Sequence, residues 1–283
     1  MKRLLTLIMF VALALLISRA SQSQARVMQT YQPISHIVLI MEENNSPTQA
    51  YAGMPYFKSL SQTYGVETND WGVAFPSLPN YIALTSGSIP ADIKGKDCTP
   101  SSTCDDTGTS IFSQGSWNVW AESMPKPCYK SNTSLYAPRH TAAPYYTQLA
   151  KTCATFDKVL PSTPTISANF TLVAPNLNDD AHNGTLAQAD TWLKNFIPKL
   201  TSQSAYTDGS TLIEITFDTA SGNCGSSCAS PVALVLLNPR LSHKSVSTKI
   251  NHYSVLRLNE EELGYPLLGA AKTATDIRAA FGL

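Results

Sequence analysis

The chain alternates short apolar runs with polar, turn-forming stretches. His36-Ile37-Val38-Leu39-Ile40-Met41 is a continuous apolar run closed by acids and amides. It reads as a strand buried on both faces of a parallel sheet. Residues 170–174, 211–217 and 232–237 read as further strands, the first stopped by Pro175. Residues 117–120 predict a strand leading into a short helix. Helical spacing appears over 55–64, with Tyr56, Leu60 and Tyr64 on one face. It returns over 186–201, through Leu186, Trp192, Leu193, Phe196 and Leu200. Shorter helices are predicted at 80–86, just after Pro79, and at 143–151, 252–263 and 274–281. No internal repeat interrupts this order. The alternation predicts an α/β fold with a mostly parallel central sheet and helices on both faces. In such sheets, ligand groups gather beyond the C-terminal ends of strands. Polar residues follow Met41, Ala174 and Phe217 at such ends.

The first segment has a different pattern. Lys2 and Arg3 precede an apolar run from Leu4 to Ile17, broken only by Thr6, and Ser23-Gln24-Ala25 supplies a small-x-small site. This predicts a signal peptide over 1–25 and a single domain over 26–283, in a secreted or periplasmic protein. The run is short for a spanning helix, which needs roughly 20 apolar residues; an uncleaved anchor is the alternative. No later segment is apolar for long enough, so stable membrane insertion is not expected. Charged residues make up only 14% of the chain and balance to zero. Without Lys2, Arg3 and Arg19, 17 basic residues face 20 acidic ones. No clustered basic face is present, which argues against a nucleic-acid partner.

Six cysteines lie beyond the leader: Cys98, Cys104, Cys128, Cys153, Cys224 and Cys228. An even count in an exported chain reads as disulfides, and six cysteines allow fifteen pairings. Proximity in sequence favours Cys98–Cys104, Cys128–Cys153 and Cys224–Cys228. The first pair would staple a loop rich in Gly, Ser, Thr and Asp over 91–109. A cysteine-ligated zinc site is the rival, but C-x2-C pairs are missing.

Candidate chemistry collects in a few clusters. Glu42-Glu43-Asn44-Asn45 follows the first buried strand, and carboxylate and amide oxygens are hard ligands for a divalent cation. Ser77 stands between Pro76 and Pro79 ahead of a predicted helix, whose N-terminus suits an anion. Taken alone, Ser77 reads first as a helix cap. Asp180 and His182 lie two apart in a polar turn after a strand, Asp218 ends another strand, and His252 opens a helix. His140 follows Arg139, a residue that can face a phosphate. Each cluster also has an ordinary structural reading. Together they provide a nucleophile, acids, amides and histidines at successive strand ends, an inventory that suits phosphoryl transfer.

Six segments in order resemble the bacterial phosphoesterase family that groups secreted acid phosphatases with phospholipases C, within the alkaline-phosphatase-like superfamily. They are His36 to Asn44, Pro76 to Tyr81, Tyr136 to His140, Pro175 to His182, Phe217-Asp218, and His252 to Leu268. The resemblance implies an alkaline-phosphatase-like fold and a divalent metal ion. It implies attack by Ser77 on a phosphate ester, either a small molecule or a phospholipid headgroup. Glu43, Asn44, Asp180, Asp218 and His252 match metal-binding positions. His140 and His182 match active-site histidines, and Asn80 lies where a phosphate oxygen could be contacted. The family's second acid after Asp218 is replaced by Thr219, which puts the number of metals in doubt. A sulfatase would carry an arginine where Tyr81 stands. The short chain favours phosphomonoesters, with a phospholipase C activity or a non-catalytic binding protein as alternatives.

Overall fold

The computed structural model describes residues 30–220 and 229–283. The expected leader (1–25) and the cysteines Cys224 and Cys228 lie outside the described residues. Residues Gln32–Leu283 form one compact unit; Met1–Tyr31 falls to another, of which only residues 30 and 31 are described.

The strands are β1 (His36–Glu42), β2 (Gly65–Trp71), β3 (Trp117–Ala121), β4 (Asp157–Val159), β5 (Phe170–Ala174), β6 (Thr211–Phe217), β7 (Pro231–Leu237) and β8 (Lys244–Val246). They form an eight-stranded sheet in the order β4-β3-β5-β1-β6-β7-β2-β8. Only β7 runs against its neighbours, β6 and β2; all other pairs are parallel. The longer helices are α1 (Pro47–Gly53), α2 (Pro55–Thr63), α3 (Ser77–Ser86), α4 (Leu186–Thr201) and α5 (His252–Glu262). The fold is the α/β class that the sequence pattern predicts. No helix among the described residues is long and apolar enough to cross a membrane.

Alternating side chains of β1 enter two different cores. Ile37, Leu39 and Met41 pack with Leu78, Ile82 and Leu256 from α3 and α5. Val38 and Ile40 pack with Phe57, Leu193 and Phe196 from α2 and α4. With both faces covered, the strand has no polar side, which is why it reads as one apolar run. The parallel neighbours β5, β1 and β6 end side by side. The turns after them therefore share one edge of the sheet, and that edge carries the site.

Several boundaries differ from expectation. Helix α3 begins at Ser77, not after Pro79, because a proline in the first turn removes an N–H that would have no helical partner anyway. After β3 the chain turns at 122–123 without forming a helix. Residues 143–151 form two 3-10 turns, Ala143–Tyr145 and Thr147–Leu149, next to Pro144. Near the end only Arg278–Phe281 is α-helical. The disulfides Cys98–Cys104 and Cys128–Cys153 are both formed.

Candidate active site

Ser77 is the first residue of α3 and is 3% exposed. The turn before it is held by Asn80. Its Oδ1 accepts from the N–H groups of Val73 and Ala74, and its Nδ2 donates to the carbonyls of Ala74 and Pro76. All of the amide is engaged with backbone. Asn80, expected to meet a phosphate oxygen, instead fixes the direction from which Ser77 enters the site.

The Ser77 hydroxyl donates to Glu43 Oε2 at 2.9 Å. Glu43 lies just past the end of β1 and is fully buried. Its other oxygen accepts from the Tyr81 hydroxyl at 2.5 Å and sits 3.2 Å from His140 Nε2. Ser77 and Tyr81 are four residues apart, so α3 presents both on one face. The backbone turns sharply at Asn44, which has φ 49°, a left-handed conformation that asparagine tolerates. That turn aims the Asn44 N–H at Asp218 Oδ1, 3.0 Å away. Glu42 is also fully buried, but neither of its carboxylate oxygens has a protein partner.

The turn after β5 brings Asp180 and His182. The Asp180 carbonyl accepts from the Glu43 N–H, stitching two strand ends together. Both carboxylate oxygens of Asp180 have partners: Oδ1 accepts from the His182 N–H, and Oδ2 lies 3.1 Å from His140 Nδ1. Asp180 is therefore placed to orient His140. His140 thus lies between two carboxyl groups, Glu43 and Asp180, and stacks flat on Tyr81. Arg139 Nη2 donates to His182 Nε2 at 3.0 Å, so the His182 proton sits on Nδ1, facing Asn183 Oδ1.

Asp218 ends β6. Its Oδ2 has no protein partner, although its carboxyl also feels the Ser77 hydroxyl. His252, at the start of α5, donates from Nε2 to the Asp218 carbonyl at 2.6 Å; its buried Nδ1 lone pair is unpartnered. Thr219 is buried with its hydroxyl 2.8 Å from Ser230 Oγ. The position of the missing acid thus serves to tie the strand end to the start of β7.

Electrostatics follow from burial. Burial, reinforced by Asp218 and Asp180, holds the Glu43 carboxyl well above the usual range. Burial also pushes Asp218 and Asp180 up to about 7 each. It keeps His140 well below its ordinary value and lowers His252 to about 4. Buried carboxyls with raised proton affinity and neutral imidazoles form an environment that attracts a cation. Glu43, His140 and His182 can each offer one ligand atom within 4.8 Å of the others. Outside that grouping, the orphaned Asp218 Oδ2 and His252 Nδ1 are an oxygen and a nitrogen of the kinds that suit a divalent metal. These residues fit such an ion. A second geometric grouping, Cys128, Cys153 and Asp157, does not, because both sulfurs form a disulfide.

Two participants have no role assigned by the sequence pattern. Tyr81 is betrayed only by its i+4 spacing from Ser77. Asp97, in the stapled loop, accepts from the Leu78 N–H and pairs with Arg139, and nothing in its sequence surroundings marks it.

A family profile described as "Phosphoesterase family" matches residues 50–262. Among curated proteins, the chain is similar to a phosphatidylinositol-3-phosphatase of Mycobacterium tuberculosis. They are 26% identical over 262 residues, covering 88% of this chain and 83% of that protein. It is also similar to a probable acid phosphatase of Kluyveromyces lactis, at 24% identity over 82% of this chain and 58% of that protein. The chain thus spans less than two thirds of the yeast protein. A solved structure of an alkaline phosphatase superfamily protein from Vibrio parahaemolyticus superposes with a TM-score of 0.57. It shares 13% identity, covers 89% of this chain and 73% of that one, and so shares the fold. With the profile spanning most of its length, the chain belongs to the Phosphoesterase family and is a hydrolase of phosphoric ester bonds.

Proposed function

We propose that the chain is a secreted or periplasmic, metal-dependent phosphomonoesterase of the acid phosphatase type, working through a phosphoserine on Ser77. The observation that carries this reading is the Ser77 hydroxyl itself. It is buried at the first position of a helix, with its proton directed at Glu43. A serine aimed at a carboxylate, with its oxygen at the positive end of a helix dipole, is prepared to become a nucleophile toward an anionic substrate.

Glu43, Asn44, Asp218 and His252 would hold the metal ion. When bound there, a divalent cation would neutralise phosphoryl charge and lower the serine pKa. The protein groups supply the rest. Glu43 Oε2 receives the Ser77 proton as Oγ attacks phosphorus and the ester oxygen departs. Asp180 and Tyr81 fix the His140 ring beside Glu43. His182 would take the proton of the water that later cleaves the phosphoserine through Nε2, once Arg139 turns from that nitrogen to the phosphoryl group. The name of the mycobacterial relative makes the phosphorylated headgroup of a lipid one candidate substrate, beside small soluble monoesters.

The test is hydrolysis of p-nitrophenyl phosphate from pH 4 to 9 by the mature chain and by Ser77→Ala, with and without a chelator. Activity that needs both Ser77 and a metal supports the reading. Preferential cleavage of phosphatidylcholine would move the assignment to a phospholipase C-type diesterase. A folded, metal-loaded protein inert toward both esters would return it to the non-catalytic alternative.

A further inference from the structure

Asp97 immediately precedes the loop closed by Cys98–Cys104. Its Oδ1 accepts from the Leu78 N–H at 2.9 Å, and its Oδ2 lies 3.5 Å from Arg139 Nε. Leu78 follows the proposed nucleophile, and its N–H is a free donor of the first helical turn. An anion is thus already bound beside Ser77, held by a helix N-terminus and a guanidinium. The anion is the protein's own carboxylate.

We propose that the Leu78 N–H and the Arg139 guanidinium form the subsite for a phosphoryl oxygen of the substrate. Asp97 fills that subsite in the free enzyme and yields it when an anion arrives. The inference rests on the phosphoserine reading above and adds a binding site and a displaced internal ligand to it.

Three observations carry it. The first is chemical identity, since a carboxylate and a phosphate present the same kind of oxygen to the same donors. The second is the contrast in exposure. The Arg139 side chain is 14% exposed and that of Asp97 is 31%, so the cation is embedded and its partner faces solvent. The third is anchoring. Tyr145 donates to the Cys98 carbonyl and the disulfide closes the loop, so the backbone beside Asp97 stays in place while its short side chain can rotate. Asp97 also acts on His140 and Asp218 through its charge, so it lies within electrostatic reach of the site. Capping α3 accounts for the bond to Leu78, since Pro76 provides no side-chain cap. It does not account for the arginine.

The test is calorimetric binding of inorganic phosphate to the metal-loaded, oxidised protein, in the wild type, Asp97→Asn and Arg139→Gln, with thermal unfolding run alongside. The amide introduced by Asp97→Asn still accepts from the Leu78 N–H but carries no charge, so it separates capping from competition. The expected result is phosphate binding roughly three- to tenfold tighter in Asp97→Asn, the scale of one partly exposed ion pair. In Arg139→Gln binding should weaken by about tenfold or more. KM for a phosphomonoester should follow phosphate affinity in both variants. If Asp97→Asn fails to fold, Asp97→Ser provides the same comparison with a smaller hydroxyl cap. Unchanged or weaker phosphate binding in the charge-free variant overturns the proposal and leaves Asp97 as a cap that steadies Arg139. That outcome, with Ser77-dependent turnover intact, spares the phosphoserine reading. Full activity in Ser77→Ala removes that reading, and this subsite with it.

Discussion

Tyr81 grips Glu43 through a 2.5 Å hydrogen bond while its ring lies parallel to His140, with planes 2° apart. One side chain therefore sets both the carboxylate facing Ser77 and the imidazole facing that carboxylate. A buried carboxylate that must hold a cation gains from a partner of this kind, because outer hydrogen bonds orient a metal ligand.

Tyr81→Phe keeps the stacked ring and deletes only the donor. The expected outcome is a fall in metal affinity and in kcat/KM of about tenfold, with the fold intact. Activity followed during a chelator titration reads this directly. Wild-type metal affinity in the variant would reduce Tyr81 to a core packing residue.

Asn80 makes a prediction about stability. Its amide satisfies two N–H groups and two carbonyls of the turn ahead of Ser77, a half-buried to buried segment. Asn80→Ala leaves them without partners and should cost on the order of 2 to 4 kcal/mol. Asn80→Asp should fare no better, since it turns an oxygen toward the Ala74 and Pro76 carbonyls. Urea denaturation measures both. A loss below about 0.5 kcal/mol would show that the turn holds itself.

The fold was readable where burial on both faces left a continuous apolar run, as in β1 and β7. It was unreadable where strands sit toward the sheet edge. β2 has the sequence Gly-Val-Glu-Thr-Asn-Asp-Trp, too polar to announce a strand, and it forms because β7 and β8 flank it. The site shows the same division. Residues at strand ends, such as Glu43 and Asp218, follow from the sheet's polarity. The role of Asn80 does not, because an amide four residues into a turn-and-helix segment can face either the ligand or its own backbone. Asp97 depends on a loop whose course is fixed by a disulfide and by Tyr145, and sequence spacing carries neither fact.

Glu214 makes the stability depend on pH. It is fully buried in β6, its Oε2 accepts from Asn259 Nδ2, and burial raises its carboxyl from the ordinary 4.5 to about 8. The folded state thus binds this proton more tightly than the unfolded chain does. Its contribution is complete below about pH 4.5 and is lost as pH rises through about 8. Glu214→Gln keeps the shape without the titration. The variant should gain on the order of 4 kcal/mol relative to wild type between pH 5 and pH 9. Denaturant midpoints across that range test it, and parallel curves for the two proteins would rule Glu214 out as the source.

Gly72 links the turn ahead of Ser77 to the strand end that bears Asp218. A Cβ at this position would lie 2.8 Å from the Asp218 carbonyl oxygen and 3.4 Å from Asn80 Oδ1. The same carbonyl accepts the His252 ring proton at 2.6 Å. In Gly72→Ala the backbone oxygen must move, because the methyl cannot. The His252 bond is then stretched together with the strand end that bears Asp218. Overpacking of this kind costs about 1 to 3 kcal/mol of stability. The specific expectation is a second effect: metal affinity and kcat/KM should fall in the fraction that remains folded, well below the unfolding transition. A variant that unfolds earlier but turns over normally while folded would show that the close approach matters to packing alone, and that the positions of Asp218 and His252 tolerate displacement of the carbonyl between them.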